Sequence, residues 1–106
     1  MSVTITSRIP AAASRARRAV EQCVEKAALD VETRAKTAAP VDTGALMNSI
    51  QARRTGPLNA IVAPNVEYAI YVEMGTRHMA AQPFLRPAAD AVRPAFEQAI
   101  ARAVRL

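Results

Sequence analysis

A chain of 106 residues with a net charge of +5 suits one compact domain, residues 1–106, and leaves no room for two. Apolar residues make up 51% of it but aromatics only 4%, so the core is small and alanine-rich, and neighbouring subunits are expected to supply further burial. One cysteine excludes an internal disulfide, one histidine beside it excludes the usual zinc spacings, and no run approaches the ~20 apolar residues a membrane span needs.

Residues 1–10 alternate Val3 and Ile5 with Thr4 and Thr6, which predicts an arm or an edge strand. They hold no signal-peptide core, so the chain is expected to stay in the cytoplasm of the cell that makes it. From Ala11 to Ala39 the period is helical. Ala16, Val20, Val24, Ala27, Val31, Ala35 and Ala38 recur at steps of three or four and predict one buried stripe. Cys23 falls among them and reads as a small buried hydrophobe. Pro40 closes the helix, because the residue before a proline avoids the α region.

In the segment Val41–Ile50, Asp42 or Thr43 can cap a short helix, with Gly44 completing the turn and Leu46 and Ile50 facing inward. Two strands, Ile50–Arg54 and Asn59–Ala63, are expected around the turn Thr55-Gly56-Pro57-Leu58. Between Val66 and Met74 the pattern favours a short helix over a strand, with Tyr68, Ala69 and Val72 as its packed face and Gly75 as its C-cap. Thr76 to Gln82 has no period and reads as an exposed loop carrying Arg77, His78 and Met79. Pro83-Phe84-Leu85 then re-enters the core. A second long helix is expected from about Pro87 to Val104, striped by Ala89, Val92, Phe96, Ala99 and Ala103 and kinked or restarted at Pro94. The order implies an α+β fold: two long helices on a small antiparallel sheet, with one or two short helices.

No catalytic, cofactor-binding or metal-binding constellation is present. Gly44, Gly56 and Gly75 are the only glycines, so no phosphate-cradling glycine motif exists. Glu21 and Glu25 are expected on a solvated helix face. Arg15, Arg17, Arg18, Arg53, Arg54, Arg77 and His78 could meet phosphate, but aromatic platforms are not interleaved with them and no basic recognition helix stands out. A small basic nucleic-acid-binding or regulatory protein is the alternative that this charge keeps open.

Three stretches in series carry a resemblance. They are Ala39-Pro40-Val41-Asp42-Thr43-Gly44-Ala45-Leu46 with Ser49-Ile50, then Tyr68-Ala69-Ile70-Tyr71-Val72-Glu73-Met74-Gly75-Thr76, then Gln82-Pro83-Phe84-Leu85-Arg86-Pro87-Ala88. Together, over about residues 10 to 104, they resemble the small minor tail-component proteins of lambda-like siphophages and their prophages, also described as neck or tail-completion proteins. Met74 stands where that family more often has an aromatic.

The resemblance implies a structural subunit rather than an enzyme, in the virion neck at the top of the tail and made in the host cytoplasm. It implies a homo-oligomeric ring, sixfold to match the tail, beside head-closure (stopper), tail-terminator or tail-tube proteins. The genome would pass through the lumen in non-specific proximity, with Arg53 and Arg54 as candidate channel cations. It marks Asp42, Thr43, Gly44, Tyr68, Tyr71, Glu73, Gly75, Thr76, Pro83 and Phe84 as motif positions. The loop of Arg77, His78 and Met79 is the candidate subunit contact.

Overall fold

The structure, a computed structural model, describes residues 1–7, 16–40 and 44–104. Strand β1 (Val3–Thr6) leads to the long helix α1 (Arg17–Ala38) and the one-turn helix α2 (Ala45–Ser49). The hairpin β2 (Gln51–Gly56) and β3 (Asn59–Ala63) follows, then the short α3 (Ala69–Met74) and the long α4 (Leu85–Val104). This is the expected α+β fold. The sheet is antiparallel in the order β1-β3-β2, so the N-terminal segment is an edge strand, with Val3 opposite Val62 and Ile5 opposite Ala60. The hairpin turn is tighter than its composition suggested, two residues (Pro57 and Leu58), because the strand pairing extends to Gly56 opposite Asn59.

Helix α1 lies across the sheet. Its stripe Val20, Val24, Ala27, Val31 and Ala35 is buried, with Ala28 and Ala39 added; Ala38, expected in the stripe, faces solvent, and Cys23 is half-buried. The helix ends at Ala39, which is extended (ψ 138°) directly before Pro40, as the clash with a following proline ring requires. From the sheet side, Ile5, Ala60 and Val62 close the core; from the connections, Leu46, Ile50, Phe84 and Leu85 do so.

Helix α4 runs antiparallel to α1, with its Val92 and Ala95 near Asp30 and its Ala99 and Ala103 near Ala19 and Cys23. Its buried residues, Leu85, Ala88 and Val92, all lie in its first half. Phe96, Ala99 and Ile100 are only half-buried. Of the two outcomes expected at Pro94, a kink or a restart, the restart does not occur: α4 runs unbroken through it. Pro94 and Asp90 are both exposed, so water can satisfy the Asp90 carbonyl that has lost its helical donor.

Among the described residues no helix is long and apolar enough to cross a membrane. The Asp42–Thr43 cap and Arg15 lie outside the described residues.

Candidate subunit-contact surface

The segment from Tyr68 to Met79 inverts the usual rule of burial. Helix α3 turns Ala69 and Glu73 inward and leaves Val72 half-buried. Tyr68, Ile70, Tyr71 and Met74 are exposed, Met74 by 72%. With Met79 at 43%, five of the seven large exposed hydrophobics of the described residues lie between positions 68 and 79; Met1 and Leu29 are the other two. Scattered apolar side chains are ordinary on a surface; here most of the large ones gather on one segment. Tyr68 was expected on the packed face. A six-residue helix gives one face to Ala69 and Glu73, and the phenols tolerate the wet side because each carries a hydroxyl.

What holds this segment is polar. The buried Glu73 carboxylate takes three backbone amides of the α4 entry: Phe84 N–H (3.0 Å) and Leu85 N–H (2.9 Å) on Oε1, and Arg86 N–H (3.1 Å) on Oε2. These are donors that a helix start leaves without intrahelical partners, and a carboxylate there also complements the helix dipole. Glu73 is thus a cap supplied from eleven to thirteen residues away, tying α3 to α4. Phe84, fully buried, packs beneath the same junction, whereas Pro83 is exposed.

Gly75 forms the turn out of α3 with φ +79°, a region L-residues avoid. A Cβ there would also sit 2.8 Å from the Ala81 nitrogen and 3.0 Å from the Met79 carbonyl oxygen, so only glycine fits. Beyond it, Thr76 and Met79 exchange both backbone bonds (2.8 and 3.3 Å), and the Thr76 hydroxyl accepts from His78 N–H (3.2 Å). Gln82 N–H donates to the Val72 carbonyl (2.8 Å) and returns the loop to α3. The loop expected to lack regular structure is therefore a braced turn that projects Arg77 and His78 into solvent. Neither side chain has an ion-pair partner among the described residues.

The other expected positions do not join this surface. Gly44 takes φ +72° at the start of α2, and its carbonyl accepts from Asn48 N–H. Arg53 and Arg54 point to opposite faces of the sheet, since Arg54 pairs across with the buried Ala60 and Arg53 with Ile61. Arg54 is engaged within the chain, donating to the Pro57 carbonyl (2.7 Å) and lying 3.8 Å from Glu25. Glu21, expected on a solvated face, is half-buried beside Arg17. No group of three or more potential metal ligands occurs among the described residues.

The roles of three residues had escaped the sequence reading. Ile70 and Met74 are four apart on the side of α3 away from Ala69 and Glu73, a one-turn signal too short to read as a period. Glu32 accepts from Ala52 N–H (3.1 Å) while holding Lys36 (2.9 Å), which blunts the free edge of β2.

A family model, HK97-gp10-like, described as a bacteriophage HK97-gp10 tail-component, matches residues 5–75, more than half of the chain. The chain belongs to the HK97-gp10-like family of phage tail components. It is therefore a structural phage protein, a component of the virion tail. The matched residues of this HK97-gp10-like chain begin in β1 and end on Gly75, the glycine that the turn out of α3 requires. The third stretch of the resemblance, Gln82 to Ala88, lies beyond the match. No curated protein and no solved structure matches the chain.

Proposed function

We propose that this tail component is a non-catalytic subunit of a ring in the head–tail joint, where it completes the neck around the DNA channel. The observation that carries the reading is the braced segment from Tyr68 to Met79. Its backbone is fixed by Glu73, Gly75 and the Thr76–Met79 pairing, while its large side chains face outward. A fold has no need to spend a buried carboxylate and a glycine on rigidifying an exposed apolar surface unless that surface is used. Membership of a tail-component family supports its use in a virion assembly. Closed rings built from one chain require a contact surface held in a single geometry, which this segment supplies.

The ring is sixfold in this reading, with head-closure, tail-terminator or tail-tube proteins above and below it. Arg53, exposed on the outer face of the sheet, is the cation best placed for a channel wall; Arg54 is occupied by its own turn. The test is quantitative mass spectrometry of particles banded on a density gradient. A constant complement near six copies per intact head–tail particle is expected. Absence from particles, with the chain in the soluble fraction, would sink the assignment, and retention of that soluble chain on duplex DNA at low salt would favour a DNA-binding protein instead.

A further inference from the structure

We infer that Glu32 is an autoinhibitory guard on the open edge of the sheet: it occupies the β2 amide through which a strand of a second copy would otherwise add. The inference is independent of the neck reading, because it concerns the chain before it joins any particle.

The ladder shows which backbone groups the edge presents. Ser7 N–H donates to the Leu58 carbonyl (3.0 Å), which fixes the phase of the β1–β3 pairing. Val3 and Ile5 therefore exchange bonds with Val62 and Ala60, while Ile61 and Ala63 turn theirs towards Arg53 and Gln51 of β2. Ala52 and Arg54 are left pointing away from the sheet. A strand of a second copy recognises such a row of outward N–H and C=O groups, and pairing there extends the sheet from one molecule to the next.

The two ends of this edge are closed in different ways. Past Arg54 the register shifts before Gly56, and the Arg54 guanidinium lies over the turn, donating to the Gly56 (3.4 Å) and Pro57 (2.7 Å) carbonyls. A bulge and a long cation both spoil an edge for pairing. The regular stretch of the edge is the Ala52 end, and Glu32 stands over it. Its Oε2 accepts from Ala52 N–H (3.1 Å), while its Oε1 is held by Lys36 Nζ (2.9 Å) one turn along α1. The bond joins residues twenty apart in the chain. Water can satisfy an edge amide as well, but an incoming strand displaces water readily. It does not as readily displace a half-buried side chain fixed by its own helix and by a lysine.

Sedimentation velocity of the purified chain over a range of concentrations tests the guard. Glu32→Ala is expected to sediment faster than wild type, increasingly so as concentration rises, while exchange of the Ala52 and Arg54 amides slows in step. Glu32→Gln, whose amide oxygen still accepts from Ala52 N–H, is expected to sediment as wild type does. Adding Arg54→Pro to Glu32→Ala should abolish the association, because proline there removes an outward N–H without costing a ladder bond. Should a thermal melt show Glu32→Ala unfolded, Glu32→Met keeps the stem and the helix preference and takes the same measurements. A folded variant without the acceptor that sediments as wild type at every concentration would overturn the inference. Association that persists with Arg54→Pro would overturn it too, by placing the contact elsewhere. Either result leaves the neck assignment untouched, since that is read from particles.

Discussion

The α1–sheet core and the α3–loop segment are built on opposite plans. In the core, shape comes from side chains: Val20, Val24 and Val31 on α1 meet Ile5, Ala60 and Val62 on the strands, and burial of apolar area holds them. In the segment from Tyr68 to Met79, shape comes from the backbone and its polar partners, while the large apolar side chains are left outside. The first plan makes a domain; the second makes a surface of fixed geometry. The difference teaches that the Tyr-x-x-Tyr-x-Glu-x-Gly stretch is bipartite. Glu73 and Gly75 serve the fold, and Tyr68, Tyr71 and Met74 are free to serve something else.

Substitutions break the comparison at different depths. Phe84→Ala, which empties a fully buried site at the junction of the two regions, is expected to cost about 4 kcal/mol in urea unfolding, the most of any change considered. Gly75→Ala forces an L-residue to φ +79° against the Ala81 nitrogen, and is expected to cost about 2–3 kcal/mol. Its mark is local: amide exchange at Met79 and Gln82 should accelerate more than at Val24. Uniform acceleration across both regions would mean that the loop and the core are one cooperative unit.

Glu73→Gln keeps the size of the side chain but leaves one oxygen and an NH2 group facing three N–H donors. A loss of about 1–2 kcal/mol is expected, read from the denaturation midpoint. No change would show that the cap contributes nothing to holding α4. Arg77→Glu should have the smallest effect on the fold, within about 0.5 kcal/mol, because its side chain is exposed and without an ion pair among the described residues. It should nevertheless block the joining of heads to tails. Normal joining with that substitution would remove the loop from the contact.

How much was legible in the sequence follows from the same contrast. Stripes repeating over five or six turns announced α1 and α4, and the alternation around Pro57 announced the hairpin. The cap on α4 was not legible, because Glu73 stands eleven to thirteen residues from the amides it takes and no local spacing records that. The outward face of Tyr68 was missed because α3 is too short to show a period. At Pro94 the restart did not follow, since α4 continues through it and the Asp90 residue whose carbonyl loses its donor is exposed to water.

The most direct measurement of the central claim is a pair of readings on the variant Tyr71→Ser/Met74→Ser: a thermal melt of the purified chain, and its abundance in gradient-purified particles. A melting temperature within a few degrees of the wild type, together with loss from particles, is the result expected of a surface that presents rather than packs. Unfolding of the variant would show that these side chains belong to the core, and normal abundance in particles would show that nothing docks on them.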